Sequence, residues 1–236
     1  MRICMFLIKI YYRIIARSGT NIKPCQKDYV IDQNFHVLGS VLDTAVSVLL
    51  DRLRGLCDNA DLLPETFHDH EVVFTLKDFS GTGSSGSGEI LRARRAIDHP
   101  ELPWYLRYVG FPETGNYPAI LRKCLDVSVS NNVCEFLKEL GAKVDHEFVT
   151  KGYILKKGRI KVTVFKMFKI TQPQQPGSKE GNNLEPVSVS HLVELSVLTT
   201  KTDTAVADDL RTLADHLKPL VHLEKIDYRR VPMNYR

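Results

Sequence analysis

The chain has 236 residues, 43% apolar and 25% charged, with 32 bases against 28 acids for a net charge of +4. Those proportions exclude a disordered, collagen-like or disulfide-scaffold chain, and the excess of base is too mild to mark a nucleic-acid binder by itself. A domain this long buries roughly 70–75% of the surface of its unfolded chain, so a core stands without disulfides or metal.

Five cysteines (Cys4, Cys25, Cys57, Cys124, Cys134) are widely spaced, with no CxxC pair and no histidine at zinc-ligand spacing. They read as reduced structural thiols of the cytosol or nucleus. Residues 1–34 differ from the rest: six bases precede the first acid, Asp28, and Lys9 interrupts the apolar run before it is long enough to span a bilayer. An unstructured or atypical extension is expected there, then one domain over 35–230 and a short tail, 231–236.

From residue 40 onward Leu42, Val46, Leu49, Leu50, Leu53 and Leu56 follow helical spacing, with Arg52 and Arg54 in the last turn and Gly55 near the end. Strands are expected at 71–77, 89–97, 104–109 and 120–129, separated by Gly, Pro and Ser clusters. The spacer SGTGSSGSG, 80–88, has a flexible linker's composition and is too short to divide domains. A second helix, NNVCEFLKELG, places Val133, Phe136, Leu137 and Leu140 on one face, with Asn132 and Glu135 as capping residues and Gly141 as the stop. Strands follow at 143–155, 159–170 and 187–199, with a polar, Pro-broken loop near 171–186 expected to be mobile. A third helix starts at Asp203 or Thr204, buries Val206, Leu210, Leu213, Ala214 and Leu217, and is stopped by Pro219. Many strands, about three helices and no βαβ alternation predict an α+β fold whose antiparallel strands close into a barrel, because no strand is protected as an edge.

In HDHE, 68–71, the two histidines of an extended segment share a face, but the sequence places no third ligand beside them. Nothing matches a phosphate loop, a nucleophile elbow or a Cys/His pair. The distinctive feature is cationic strands. In LRARR, 91–95, Arg92 and Arg94 share one face and Leu91, Ala93 and Arg95 the other; the hairpin 152–170 carries six Lys or Arg and no acid. Such charges need acids, a bound anion or water beside them, and lysines reaching to the barrel rim are the expected solution.

The order LRARR, PWYLRYVG, a helix ending ELG, VDHEFVTKGYILKKGRIKV and HLVELSV resembles the triphosphate-tunnel enzymes, whose fold is an eight-stranded antiparallel barrel with inward cations for polyphosphate and Glu pairs for metal. The resemblance puts Arg92 and Arg94 at phosphate-facing positions and Glu194 at one half of a late ExE pair. Its other half is Ser196, and FHVLGSV offers no Glu for the early ExExK. Metal-assisted hydrolysis therefore lacks its hard oxygen ligands, and these positions are expected to be vestigial.

A longer resemblance, over about residues 36–229, runs through GSVLD, LLDRLRGLCDN, PETFHDHEVVFTLK, LRARRAID, PWYLRYVG, DHEFVTKG, LVELSV and LKPLVHLEKID. It is to the Mediator complex subunit 18 family. That resemblance implies a nuclear, non-catalytic barrel without cofactor or metal in the head module of the transcription coactivator. The implied partners are Mediator subunit 20 and a C-terminal helix of subunit 8, with RNA polymerase II engaged indirectly and no direct contact to nucleic acid or membrane. The alternative from the other resemblance is a triphosphate-tunnel phosphohydrolase or polyphosphate-binding protein. Lys156, Lys157 and Arg159, at the hairpin turn, are the expected partner-facing cations.

Overall fold

In a computed structural model, residues 32–58, 62–76, 89–113, 115–171, 183–200 and 204–226 are described. Most of the 1–34 extension, the 80–88 spacer, the centre of the 171–186 loop and the 231–236 tail lie outside them.

Nine strands and three helices follow in order: β1 (Asp32–Leu42), α1 (Val46–Leu56), β2 (Glu65–Leu76), β3 (Glu89–Ala96), β4 (Trp104–Pro112), β5 (Ile120–Val129), α2 (Val133–Glu139), β6 (Lys143–Lys157), β7 (Ile160–Thr171), β8 (Asn183–Pro186), β9 (Ser190–Thr199) and α3 (Thr204–His216). Every pairing is antiparallel, in the order β6-β2-β3-β4-β5-β1-β9-β7-β8, and β6 also pairs with β7. That last pairing closes eight strands into a barrel, while β8 is an extra strand on the end of β7. Closure answers the edge problem posed by the sequence.

Several boundaries depart from expectation for local reasons. Leu42 ends β1 and is exposed instead of opening the helix, because a single 3-10 turn, Asp43–Ala45, intervenes before α1. Residues 183–186, expected within the loop, pair with Thr171 to Phe168. Asn132 stands at the N-cap of α2 but caps it with no side-chain bond; its Oδ1 instead accepts from the Ser130 hydroxyl at 2.6 Å. Gly141 is the stop: at φ +91 it sits in the left-handed region, its N–H reaches Lys138 O, and Ala142 N–H reaches Leu137 O.

The largest hydrophobic cluster lies outside the barrel wall. Phe35, Val37 and Val41 of β1, Val162 and Val164 of β7, and Val193, Leu195 and Val197 of β9 point outward into one cluster. Leu49 and Leu53 of α1 and Leu210, Leu213 and Leu217 of α3 cover them. This follows from period-two strands meeting period-3.6 helices: alternate strand residues leave the bore, and helix stripes cover them. The other strand residues are left to the interior, where Gly152 of β6 packs against β7 so closely that a Cβ would lie 2.2 Å from Val164 O. After α3 the chain turns back over β1, where Leu38 and Glu224 exchange backbone hydrogen bonds of 3.2 and 2.9 Å.

Candidate functional site

The bore is polar. On β3, Arg92 and Arg94 point inward while Leu91 and Ala93 are buried on the outer side, as the alternation of LRARR requires. Arg92 Nη1 donates to Glu71 Oε1 at 3.3 Å, and Arg94 Nε lies 3.7 Å from Asp69 Oδ2, both acids coming from the neighbouring β2. On β4, Arg107 makes a two-pronged pair with Asp126 of β5, Nε to Oδ1 at 2.7 Å and Nη2 to Oδ2 at 2.5 Å. Burial alone would weaken the Arg107 guanidinium's hold on its proton; Asp126 reverses this and keeps it firmly charged.

Across the bore stand Glu194 of β9 and Lys161 of β7. Burial pushes the Glu194 carboxyl up, opposed by Arg107, Lys161, Arg92 and Arg94, which places the three predicted tunnel residues in one electrostatic environment. Burial likewise lowers Lys161, and Arg94 and Arg107 add to the effect. Among the described residues neither Glu194 nor Lys161 makes a side-chain hydrogen bond or ion pair. The group includes the cations Arg92, Arg94, Arg107 and Lys161 and the carboxylates Asp69, Glu71, Asp126 and Glu194, with Arg122 of β5 close by beside His36. The Arg92 side chain is 49% exposed despite its inward position, so the bore is open to solvent rather than packed.

For Lys161 and Lys166 this corrects the expectation that the hairpin lysines reach to the rim. Lys161 faces the bore, and Lys166 binds Asp43 on the outer side, where Asp43 also accepts from His191 at 2.8 Å. For the bore arginines the first of the three expected partners, acids, is the one found. The acids come from β2 and β5, not from β1, and Asp69 and Glu71 are the residues between and beside the two histidines of HDHE. Attention to the histidines missed them, although the same alternation that sets His68 and His70 on one face sets Asp69 and Glu71 on the other. The histidines are not a joint site: His68 Nδ1 lies 3.1 Å from Asp98 Oδ1 and His70 Nε2 3.3 Å from Glu147 Oε2. Among the described residues no three His, Cys, Asp or Glu side chains converge on one point, and no helix is long and apolar enough to cross a membrane.

Lys156, Lys157 and Arg159 stand apart from the bore, at the β6–β7 turn. Lys157 pairs with Ile160 across a two-residue turn in which Gly158 takes φ +55. Asp58, just past α1, grips this turn from outside: its Oδ2 accepts the Gly158 N–H at 2.6 Å and its N–H donates to Lys156 O at 2.8 Å. Arg159 Nη2 lies 3.7 Å from Asp209 of α3. The turn is thus a fixed ridge between two hollows. One, of about 370 Å³, is lined in part by Ile160, Val197, Val206 and Leu213; the other, of about 200 Å³, by Ile154 and Leu155 with the exposed Leu62 and Leu63 at its side.

Comparison with known proteins identifies the chain's relatives. Residues 79–231 match the family model described as Med18 protein. The chain is 48% identical over 195 residues to Mediator of RNA polymerase II transcription subunit 18 of Danio rerio, covering 82% of this chain and 88% of that protein. It is 47% identical to the protein of the same name from Xenopus laevis, with the same coverage. Its fold is similar to a chain of the Schizosaccharomyces pombe Mediator head module, at TM-score 0.61 and 18% identity over 82% of this chain and 98% of that one. With the family model matching well over half its length and close relatives aligned along nearly all of the barrel, the chain belongs to the Med18 family.

Proposed function

We propose that this chain is a non-catalytic subunit of the Mediator coactivator, acting in the head module as a protein-interaction scaffold in RNA polymerase II transcription. The observation that carries the proposal is the 48% identity to a Mediator subunit 18 over 195 residues, 82% of this chain. Its non-catalytic half is supported by the strands themselves, because the position two residues after Glu194 is Ser196 and β1 carries no Glu, so the carboxylate pairs of the tunnel enzymes have no counterpart.

The partners that go with this function are Mediator subunit 20, as a heterodimer, and the C-terminal helix of subunit 8, with RNA polymerase II engaged indirectly and the complex in the nucleus. The ridge of Lys156, Lys157 and Arg159 is the proposed partner-facing surface, supported by its fixed geometry and its place beside two apolar hollows. Co-expression with subunits 20 and 8, followed by cross-linking, tests this; a ternary complex is expected. A monodisperse, partner-free chain in the presence of both subunits would overturn it. Triphosphate hydrolysis with magnesium or manganese, abolished by Arg92→Ala, Arg94→Ala or Glu194→Gln, would overturn the non-catalytic reading.

A further inference from the structure

We infer that the two hollows and the β6–β7 ridge between them form one docking surface for an acidic protein segment with two bulky apolar anchors. This rests on the interaction-subunit reading and specifies the chemistry of the partner segment at that site.

Three observations carry it. First, Leu62 and Leu63, beside the smaller hollow, are 65% and 84% exposed, adjacent apolar side chains left in water where a partner would cover them. Second, among the described residues Lys156 and Lys157 make no ion pair, and Arg159 has only the exposed Asp209 at 3.7 Å, a contact a partner carboxylate can replace at little cost. Third, the ridge is preorganised. Asp58 is committed to the Gly158 N–H and the Lys156 carbonyl, so the loop conformation does not have to be ordered on binding.

The geometry dictates the order of the ligand's groups. Lys156 borders the smaller hollow and Lys157 the larger, so a segment crossing the ridge meets apolar floor, then cations, then apolar floor. The larger hollow, about 370 Å³, is at the lower end of sizes that enclose a ligand, room for an aromatic or branched side chain. Nucleic acid fits less well: a phosphate backbone needs a continuous cationic track, and here Asp58, Glu65 and Asp209 flank a short ridge while the hollows offer apolar floors.

The test uses the full chain and a fluorescein-labelled synthetic peptide with a Phe at each end of a short run of Glu, read by fluorescence anisotropy. Saturable binding is expected, weakening as salt rises and falling about tenfold when the Glu run is replaced by Gln. A loss of about tenfold is also expected with Lys156→Glu plus Lys157→Glu, and separately with Leu62→Ser plus Leu63→Ser. Lys156, Leu62 and Leu63 are exposed and Lys157 is half-buried; thermal melts of both variants matching the wild type exclude misfolding, and Lys156→Glu alone should weaken binding in the same direction. Absence of saturable binding, or binding indifferent to both variant pairs, overturns the inference, as does a labelled single-stranded RNA binding at the same residues while the peptide does not. The two readings separate cleanly. A chain that assembles with subunits 20 and 8 but ignores the peptide overturns the docking surface alone; one that binds the peptide but does not assemble overturns the Mediator assignment alone.

Discussion

At the residue scale the arginines of the bore are held by acids on neighbouring strands. Removing one member leaves its partner without compensation, which costs more than the pair itself contributes. Asp126→Asn is therefore expected to destabilise the fold by about 1–2 kcal/mol, a figure reduced for the partial solvent exposure of the pair. Urea denaturation should show a lower midpoint with an unchanged slope. A second prediction concerns His36, buried on β1, whose pKa falls to about 4 because burial, then Arg122, disfavour its charged form. The unfolded chain takes up a proton near pH 6.5 while the folded one resists until about 4, so the contribution is fully present above 6.5 and lost as pH falls through that window. The loss amounts to about 3 kcal/mol at the acid end, and His36→Gln should flatten stability against pH between those limits. The inward cations were legible only in part. Alternation in LRARR revealed Arg92 and Arg94, but their acids lie on another strand, and no local spacing in a sequence states which strands become neighbours.

At the element scale the helices show how burial and strand alternation divide the work. Leu210 of α3 and Leu49 of α1 are fully buried against the outer wall, so Leu210→Ala is expected to cost about 2–5 kcal/mol by lost transfer energy and a residual cavity, measured by thermal or urea unfolding. Gly152 predicts a different failure. A methyl there meets the backbone of β7 rather than a yielding side chain, so Gly152→Ala should weaken the β6–β7 ladder that closes the barrel. Hydrogen exchange of β6 and β7 amides should quicken more than that of β4 and β5. The apolar stripes of α1 and α3, and the Gly141 stop of α2, could be read from periodicity and turn chemistry alone. The start of α1 could not, because Leu42 fits the helical pattern and the strand equally well, and pairing with Ser190 decides for the strand.

For the whole molecule, one core joins strands from both chain halves to helices from both, so the barrel should unfold as a unit. Trp104, the single tryptophan, sits on β4 away from α3 and reports on this. In Leu210→Ala its fluorescence should shift to the same lower midpoint as the circular dichroism signal; a Trp104 transition left at the wild-type midpoint would show that the two sides unfold independently. The sequence by itself determined the helices, most strands, the antiparallel class and the family, because these depend on periodicity, turn residues and long shared strings. Only the tertiary structure decided where charge goes. Barrel closure brings β2, β3, β4, β5, β7 and β9 around one bore, gathering scattered Arg, Lys, Asp and Glu into one interior group, and it leaves the β6–β7 turn outside as a fixed cationic ridge. Strand neighbours far apart in sequence are selected by packing of the whole chain, and that selection is what separates the cations of the bore from those left on the outer turn.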